Sequence, residues 1–100
     1  LRRMDVKSVI ECGLGTNNPT LKSSMGVNGQ PGASLRMWKD YFPNASIFGC
    51  DIDRDVLFSE ERIKTFHCDQ TSAKSISNFL KNADISVDSV DIIIDDGLHE

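Results

Sequence analysis

Apolar runs that end in acidic residues alternate with helical patterns along this chain. The strand-like runs cover residues 5–12, 45–50, 63–68 and 87–94, and the last run is almost wholly apolar from Ile92 to Ile94. Continuously apolar cores, such as Val9-Ile10 in the first run, are typical of parallel strands that are covered on both faces.

The first helix is predicted between the first two strands. Ser34 is a suitable N-cap, Leu35, Trp38 and Phe42 follow at helical spacing, and Pro43-Asn44 stops the helix. We interpret Trp38 as a core anchor rather than as a platform for a cofactor.

The second helix is predicted after the third strand, with Thr71 or Ser72 as its cap. Its buried stripe should consist of Ile76, Phe79, Leu80 and Ala83. A short helical turn is also expected around Val56. Strands that alternate with helices predict an α/β fold, a Rossmann-like parallel sheet with right-handed crossover helices. For its four strands we expect the order 3-2-1-4.

A glycine turn follows the first strand, in the sequence IECGLGT at 10–16. Gly13 and Gly15 allow a tight turn and leave no side chain between the backbone N–H groups and a ligand. The segment 16–33 is rich in turn signals and is predicted to be a long loop, and such loops are usually functional or mobile.

Acidic residues follow the other strands, where open parallel sheets bind their ligands. Asp51 is placed to accept hydrogen bonds from ribose hydroxyls, although it could be a turn residue and Asp53 competes for the role. Asp69-Gln70 could contact an adenine edge, or Asp69 could cap the following helix.

A second chemical cluster follows the fourth strand. Asp95 and Asp96 could hold a divalent cation, with His99 as a general base, or Asp-Asp-Gly could be a simple turn. His67, inside the third strand, is interpreted as structural.

A dinucleotide is disfavoured as the ligand. Asn18 stands where the third glycine of the fingerprint would be, the first helix starts far beyond the glycine turn, and Asp51 lies farther on than the roughly 20 residues of that fingerprint.

The composition narrows the function classes. The 100 residues carry a net charge of −4, which argues against bulk electrostatic binding of nucleic acid. No apolar run approaches the roughly 20 residues that span a bilayer, so a cytoplasmic protein is expected.

The three cysteines lack close metal-ligand spacing and are expected to be reduced, buried thiols. The chain opens with Leu1 and stops at Glu100, and we expect it to be a piece of a longer protein.

Several of these motifs resemble those of one enzyme family. The sequence IECGLG at 10–15 resembles the first motif of class I S-adenosylmethionine-dependent methyltransferases. Asp51 and Asp69 match the family's acidic residues near the ribose and the adenine. Three stretches resemble, more narrowly, the macrocin- and mycinamicin-type sugar O-methyltransferases, which are related to cephalosporin-hydroxylase-like proteins. They are GASLRMW at 32–38 with YFPNA at 41–45, RIKTF at 62–66 with DQ at 69–70, and DIIIDDG at 91–97 with His99.

The resemblance implies methyl transfer from S-adenosylmethionine to a hydroxyl of a small molecule, such as a natural-product sugar or a polyketide, with Mg²⁺ assisting. Residues 1–100 would be the N-terminal, cofactor-binding part of a truncated methyltransferase domain. A homo-oligomer without nucleic-acid or membrane partners is expected. The implied site has a metal ligand at Asp96, a base at His99, and cofactor contacts from Glu11, Gly13, Gly15, Ser34, Asp51, Asp69, Gln70 and Asp95.

Two other functions stay open. The chain could be a non-catalytic S-adenosylmethionine-binding or scaffold domain that keeps the fold without turnover. An NAD-dependent oxidoreductase is less favoured, because of the departures from the dinucleotide fingerprint.

Overall fold

The computed structural model describes residues 2–13, 32–69 and 71–95, and for Val87 and Asp95 it describes the backbone only. Short 3-10 helices span Arg3–Asp5, Arg54–Val56 and Val87–Ser89. The regular elements, in chain order, are β1 (Ser8–Cys12), α1 (Ala33–Tyr41), β2 (Ser46–Asp51), β3 (Ser59–Glu60), β4 (Ile63–His67), α2 (Ala73–Asn82) and β5 (Ile92–Asp95).

The strands form one sheet in the order β3-β4-β2-β1-β5. β4, β2, β1 and β5 are parallel to their neighbours, and β3 is antiparallel to β4. With β3 set aside, this is the predicted order 3-2-1-4, so the α/β fold and its topology are confirmed. The two-residue β3 was not predicted, because a pair of exposed polar residues carries no apolar periodicity.

The side chains of the parallel strands divide between two apolar clusters. Because successive side chains point to opposite faces, Val9 and Ile10 of β1 belong to different clusters. Val9 lies with Leu35 of α1, whereas Ile10 lies with Phe79 of α2. Both faces of the sheet are therefore covered by a helix, as the apolar strand cores predicted.

Two strand boundaries differ from the prediction. β1 begins at Ser8 rather than at residue 5, because Arg3–Asp5 forms a 3-10 turn instead. β5 begins at Ile92 rather than at residue 87, because Val87–Ser89 forms another such turn. β5 also pairs on one side only among the described residues, and Ile93 is 62% exposed.

The helices also correct the prediction in two places. Ser34 is not the N-cap of α1, which starts at Ala33 after Gly32, whose positive φ of 81° places it in the left-handed region. The Ser34 hydroxyl instead donates to a side chain of β1. In α2 the Ser72 hydroxyl does accept from the backbone N–H of Ser75, as one of the two predicted caps. Ile76, predicted in the buried stripe, is 37% exposed, whereas Phe79 is buried.

Arg62 holds the end of α1 against the sheet. Its backbone has a φ of 64°, in the turn between β3 and β4. One guanidinium nitrogen donates to the carbonyls of Phe42 (3.1 Å) and Ala45 (2.8 Å), and the other donates to the carbonyl of Lys39 (3.0 Å). Arg62 thus binds carbonyls at a helix end, where intrahelical partners run out.

No helix in the described part of the chain is long and apolar enough to cross a membrane.

Candidate cofactor site

The ends of the parallel strands meet at one edge of the sheet. Cys12 of β1 lies beside Cys50 of β2, and beside Asp95 of β5 on its other side. Asp51 at the end of β2 lies beside His67 at the end of β4. Since neighbouring strands are roughly 5 Å apart, Gly13, Asp51 and Asp69, at or just beyond the ends of β1, β2 and β4, face a common space. The predicted convergence of Gly13, Asp51 and Asp69 is therefore present.

Gly13 leaves the sheet in a conformation that favours glycine. Its φ is 86°, and its N–H donates to the carbonyl of Cys50 (2.8 Å). This bond continues the ladder for one residue beyond β1. A side chain at this position would be strained in the left-handed region, which explains the glycine physically.

Asp51 and Asp53 have separate local roles. Asp53 caps the 3-10 helix that follows β2, because its Oδ1 accepts from the N–H of Asp55 (2.9 Å). Asp51 is 3% exposed, and its Oδ1 accepts from the N–H of Asp53 (2.8 Å). Asp53 is therefore the helix cap, while Asp51 is held in a fixed orientation at the end of β2.

Asp69 forms a tight turn before α2. Its Oδ1 accepts from both the hydroxyl (2.6 Å) and the backbone N–H (2.9 Å) of Thr71. These hydrogen bonds hold the pKa of Asp69 below its usual value, with a smaller contribution from His67. Asp69 is therefore an anion at neutral pH, and the cap of α2 is Ser72 rather than Asp69.

Glu11 is a buried carboxylate, only 2% exposed, near the end of β1. Its Oε2 accepts from the Ser34 hydroxyl, and its Oε1 accepts from the indole N–H of Trp38 (2.8 Å). We call these three residues the Glu11 clamp. Trp38 also packs against the apolar cluster of α1, as the core-anchor interpretation predicted.

The interaction of Glu11 with Ser34 and Trp38 was not predicted from the sequence. Ser34 and Trp38 are four residues apart and so share one face of α1, which is readable from the sequence. That this face meets Glu11 depends on the rotation of the helix over the sheet, for which the sequence contains no local signal.

The three cysteines lie together on the α2 side of the sheet. The sulfurs of Cys12 and Cys50 are 3.3 Å apart, and none of the three cysteines forms a disulfide bond within the described residues. The hydrogen bond with Cys12, together with burial, raises the pKa of Cys50, and burial raises the pKa of Cys68. The prediction of buried thiols is thus confirmed for Cys50 and Cys68, whereas Cys12 is only partly buried. Within residues 2–13, 32–69 and 71–95, no group of three or more His, Cys, Asp or Glu side chains is arranged to hold a metal.

His67, interpreted as structural, contributes to an open groove beside β4. The groove has a volume of about 370 Å³ and is lined by Arg54, Phe66, His67, Ser75, Asn78, Phe79 and Asn82.

Five of the predicted site residues have no described side chain. Gly15, Gln70, Asp96 and His99 lie outside the described residues, and Asp95 is described by its backbone, which ends β5 beside Cys12.

Known proteins similar to this chain are O-methyltransferases. No protein-family model matches the chain. It is 43% identical over 68 residues to the mycinamicin VI 2''-O-methyltransferase of Micromonospora griseorubida, across 68% of this chain and 16% of that protein. It is 36% identical over 100 residues to an 8-demethyl-8-(2-methoxy-alpha-L-rhamnosyl)-tetracenomycin-C 3'-O-methyltransferase of Streptomyces olivaceus, across 99% of this chain and 22% of that protein.

The fold has a close counterpart among solved structures. The MycE methyltransferase of the mycinamycin pathway, in complex with Mg, SAH and mycinamycin VI, superposes with a TM-score of 0.69. The two chains are 33% identical, and the match covers 97% of this chain and 23% of that one.

The parallel sheet, its strand order and its matches define a Rossmann-like fold of the class I methyltransferase type. Within that class, the chain is a relative of the mycinamicin-, tetracenomycin- and macrocin-type sugar O-methyltransferases, and the predicted resemblance is confirmed. The chain spans about a fifth of the length of these relatives, from 16% to 22%.

Proposed function

We propose that residues 1–100 form the cofactor-binding part of an S-adenosylmethionine-dependent O-methyltransferase that acts on a sugar hydroxyl of a natural product. The observation that carries the proposal is the convergence of Gly13, Asp51 and Asp69 at the carboxyl edge of a sheet with this strand order. The relatives named above are O-methyltransferases, and one was crystallised with SAH and Mg.

The described residues suit the parts of S-adenosylmethionine. Asp51 is a buried carboxylate with fixed orientation, which suits recognition of two ribose hydroxyls. Asp69 would contact the adenine edge, as would Gln70, which lies outside the described residues. The bare backbone at Gly13, continued by Gly15, would allow close approach of the ligand.

The remaining contacts would lie nearer the methionine part of the cofactor. Glu11 lies near the end of β1 and Asp95 ends the neighbouring β5, and both would contact this part, while Ser34, in the first turn of α1, would serve it through its hydrogen bond to Glu11. When bound, S-adenosylmethionine supplies the methyl group. From the resemblance, Asp96 would hold Mg²⁺ and His99 would accept the proton of the acceptor hydroxyl.

Titration calorimetry with S-adenosylhomocysteine tests the cofactor assignment. Asp51→Asn keeps the shape of the side chain but replaces one oxygen acceptor by an amide donor. We expect it to weaken binding about tenfold or more, the value of a hydrogen bond to a charged group. Asp53→Ala is the matched control, since it removes a helix cap two residues away. It should lower stability and leave the affinity unchanged.

The assignment is wrong if the unsubstituted protein releases no binding heat with S-adenosylhomocysteine. Equal affinities for Asp51→Asn and the unsubstituted protein would instead refute only the ribose role. Binding without any methyl transfer to sugar hydroxyls would favour the non-catalytic domain.

Removal of the metal tests the magnesium role in the full-length protein. We expect EDTA to abolish turnover and added Mg²⁺ to restore it, while binding of S-adenosylhomocysteine persists, because the metal serves the acceptor hydroxyl. Asp96→Asn should raise the Mg²⁺ concentration needed for half-maximal activity. Full turnover in EDTA would remove Asp96 from the mechanism.

A further inference from the structure

The Glu11 clamp joins the end of β1 to the start of α1 beside the proposed cofactor site. We infer that Ser34 and Trp38 are positioning residues of this site, which act on the cofactor through the Glu11 carboxylate. The inference rests on the proposed function, because it concerns the affinity of that site for S-adenosylmethionine or its product.

Two residues of α1 hold the Glu11 side chain, one at each carboxylate oxygen. Ser34 lies in the first turn of α1 and holds one carboxylate oxygen, while Trp38 lies one turn further on and holds the other. Two donors on two oxygens fix both the position and the plane of the carboxylate. Loss of either donor would let the carboxylate rotate.

Burial makes both donors necessary. Glu11 is 2% exposed, and a buried carboxylate that lacks hydrogen-bond donors is strongly disfavoured. The amino end of α1 also favours a nearby negative charge, through its unpaired N–H groups. The carboxylate therefore draws the amino end of α1 to the end of β1.

The clamp is also close to the glycine turn in sequence. Glu11 precedes Gly13 by two residues, and the N–H of Gly13 is bonded to Cys50 on the neighbouring strand. A displacement of Glu11 would therefore be transmitted to the backbone that the ligand approaches. Ser34 and Trp38 thus influence the site without needing to touch the cofactor.

Four variants of the full-length protein test this inference by titration with S-adenosylhomocysteine. Trp38→Phe keeps an aromatic ring but removes the N–H donor. Ser34→Ala removes the hydroxyl, and Ser34→Thr retains it. Val6→Ala is the stability control, because Val6 is buried in the same apolar cluster but precedes β1, at the opposite edge of the sheet.

We expect about tenfold weaker binding for Trp38→Phe and for Ser34→Ala, the equivalent of one hydrogen bond to a charged group. Ser34→Thr should bind within about twofold of the unsubstituted protein, because the donor is kept. Val6→Ala should lower the thermal midpoint and leave the affinity unchanged, which separates positioning from general destabilisation.

A double-mutant cycle shows whether Trp38 acts through Glu11. If it does, Trp38→Phe should weaken binding much less in a Glu11→Ala background than alone. Unchanged affinity in both Trp38→Phe and Ser34→Ala would overturn the inference while the cofactor site stands. Strictly additive losses in the cycle would also overturn it. Absence of binding by the unsubstituted protein would overturn the proposed function and the inference together.

Discussion

Replacing Arg62 by alanine should destabilise the fold without weakening cofactor binding. The guanidinium of Arg62 donates to three carbonyls, those of Lys39, Phe42 and Ala45, at 2.8 to 3.1 Å. These carbonyls lie in the last turn of α1 and just beyond it, whereas Ser34 of the Glu11 clamp lies in the first turn. The substitution therefore tests the support of α1 separately from the site.

The magnitude follows from the lost hydrogen bonds. A hydrogen bond to a charged group contributes roughly 1.5–3 kcal/mol when its partner is otherwise left unsatisfied. Because Arg62 is half-buried, water can reach part of this region and replace some of the lost donors. For three bonds that share one side chain, we expect a total loss of about 2–4 kcal/mol rather than the full sum.

The backbone of Arg62 supplies an internal control. At a φ of 64°, a non-glycine residue is strained by roughly 1–2 kcal/mol, and glycine is not. Arg62→Gly loses the same hydrogen bonds as Arg62→Ala but relieves this strain. Arg62→Gly should therefore be more stable than Arg62→Ala by about 1 kcal/mol. The stability of Arg62→Lys should lie between that of the unsubstituted protein and those of the two other variants.

The assay is urea unfolding followed by circular dichroism, with the dependence on urea concentration compared between variants. Titration with S-adenosylhomocysteine in parallel should give the same affinity for every Arg62 variant. A loss below about 0.5 kcal/mol for Arg62→Ala, within the range of ordinary surface substitutions, would refute the supporting role. Equal stabilities of Arg62→Ala and Arg62→Gly would refute the argument from backbone strain.

Two further predictions concern packing and pH. Gly32→Ala should lower the free energy of unfolding by about 2–4 kcal/mol, because the new Cβ would lie 2.5 Å from Cε1 of Phe58 and the backbone φ is 81°. If the clash is the main cause, the loss should be smaller in a Phe58→Leu background. The raised pKa of Cys50 and of Cys68 means that both thiols stay protonated in the folded state after the unfolded chain has ionised. The contribution of these thiols to stability should therefore be constant below about pH 8.5 and fall above it, by up to about 1.4 kcal/mol per pH unit for Cys50, in urea titrations at several pH values. Cys50→Ala should flatten this decline, and an unchanged slope would contradict the burial argument.

Much of the fold was predictable because its signals are local. The four parallel strands, both helices and the 3-10 turn at Arg54–Val56 were expected from apolar periodicity and turn residues, and the right-handed crossover then limited the strand order. The boundaries at Ser8 and Ile92 were less predictable, because the short 3-10 turns at Arg3–Asp5 and Val87–Ser89 have no periodic pattern that separates them from the strands that follow.

The part of the candidate site that lies at the ends of the strands could be predicted, because the carboxyl ends of parallel strands meet at one edge of the sheet. The placement of Gly13, Asp51 and Asp69 required only the strand order, which the sequence implied. The distinction between Asp51 and Asp53 was not accessible in this way, because two acidic residues in one turn have the same sequence pattern. Their backbone conformation decided which of them caps the 3-10 helix.

The sequence by itself determined the elements, their order in the sheet and the edge at which acidic residues gather. Only the tertiary structure decided which side chains meet: Ser34 and Trp38 on the carboxylate of Glu11, and Arg62 on the carbonyls at the end of α1. The physical reason is that periodicity specifies which face of an element is buried. Contacts between residues far apart in the chain depend instead on how each helix is rotated and placed against the sheet.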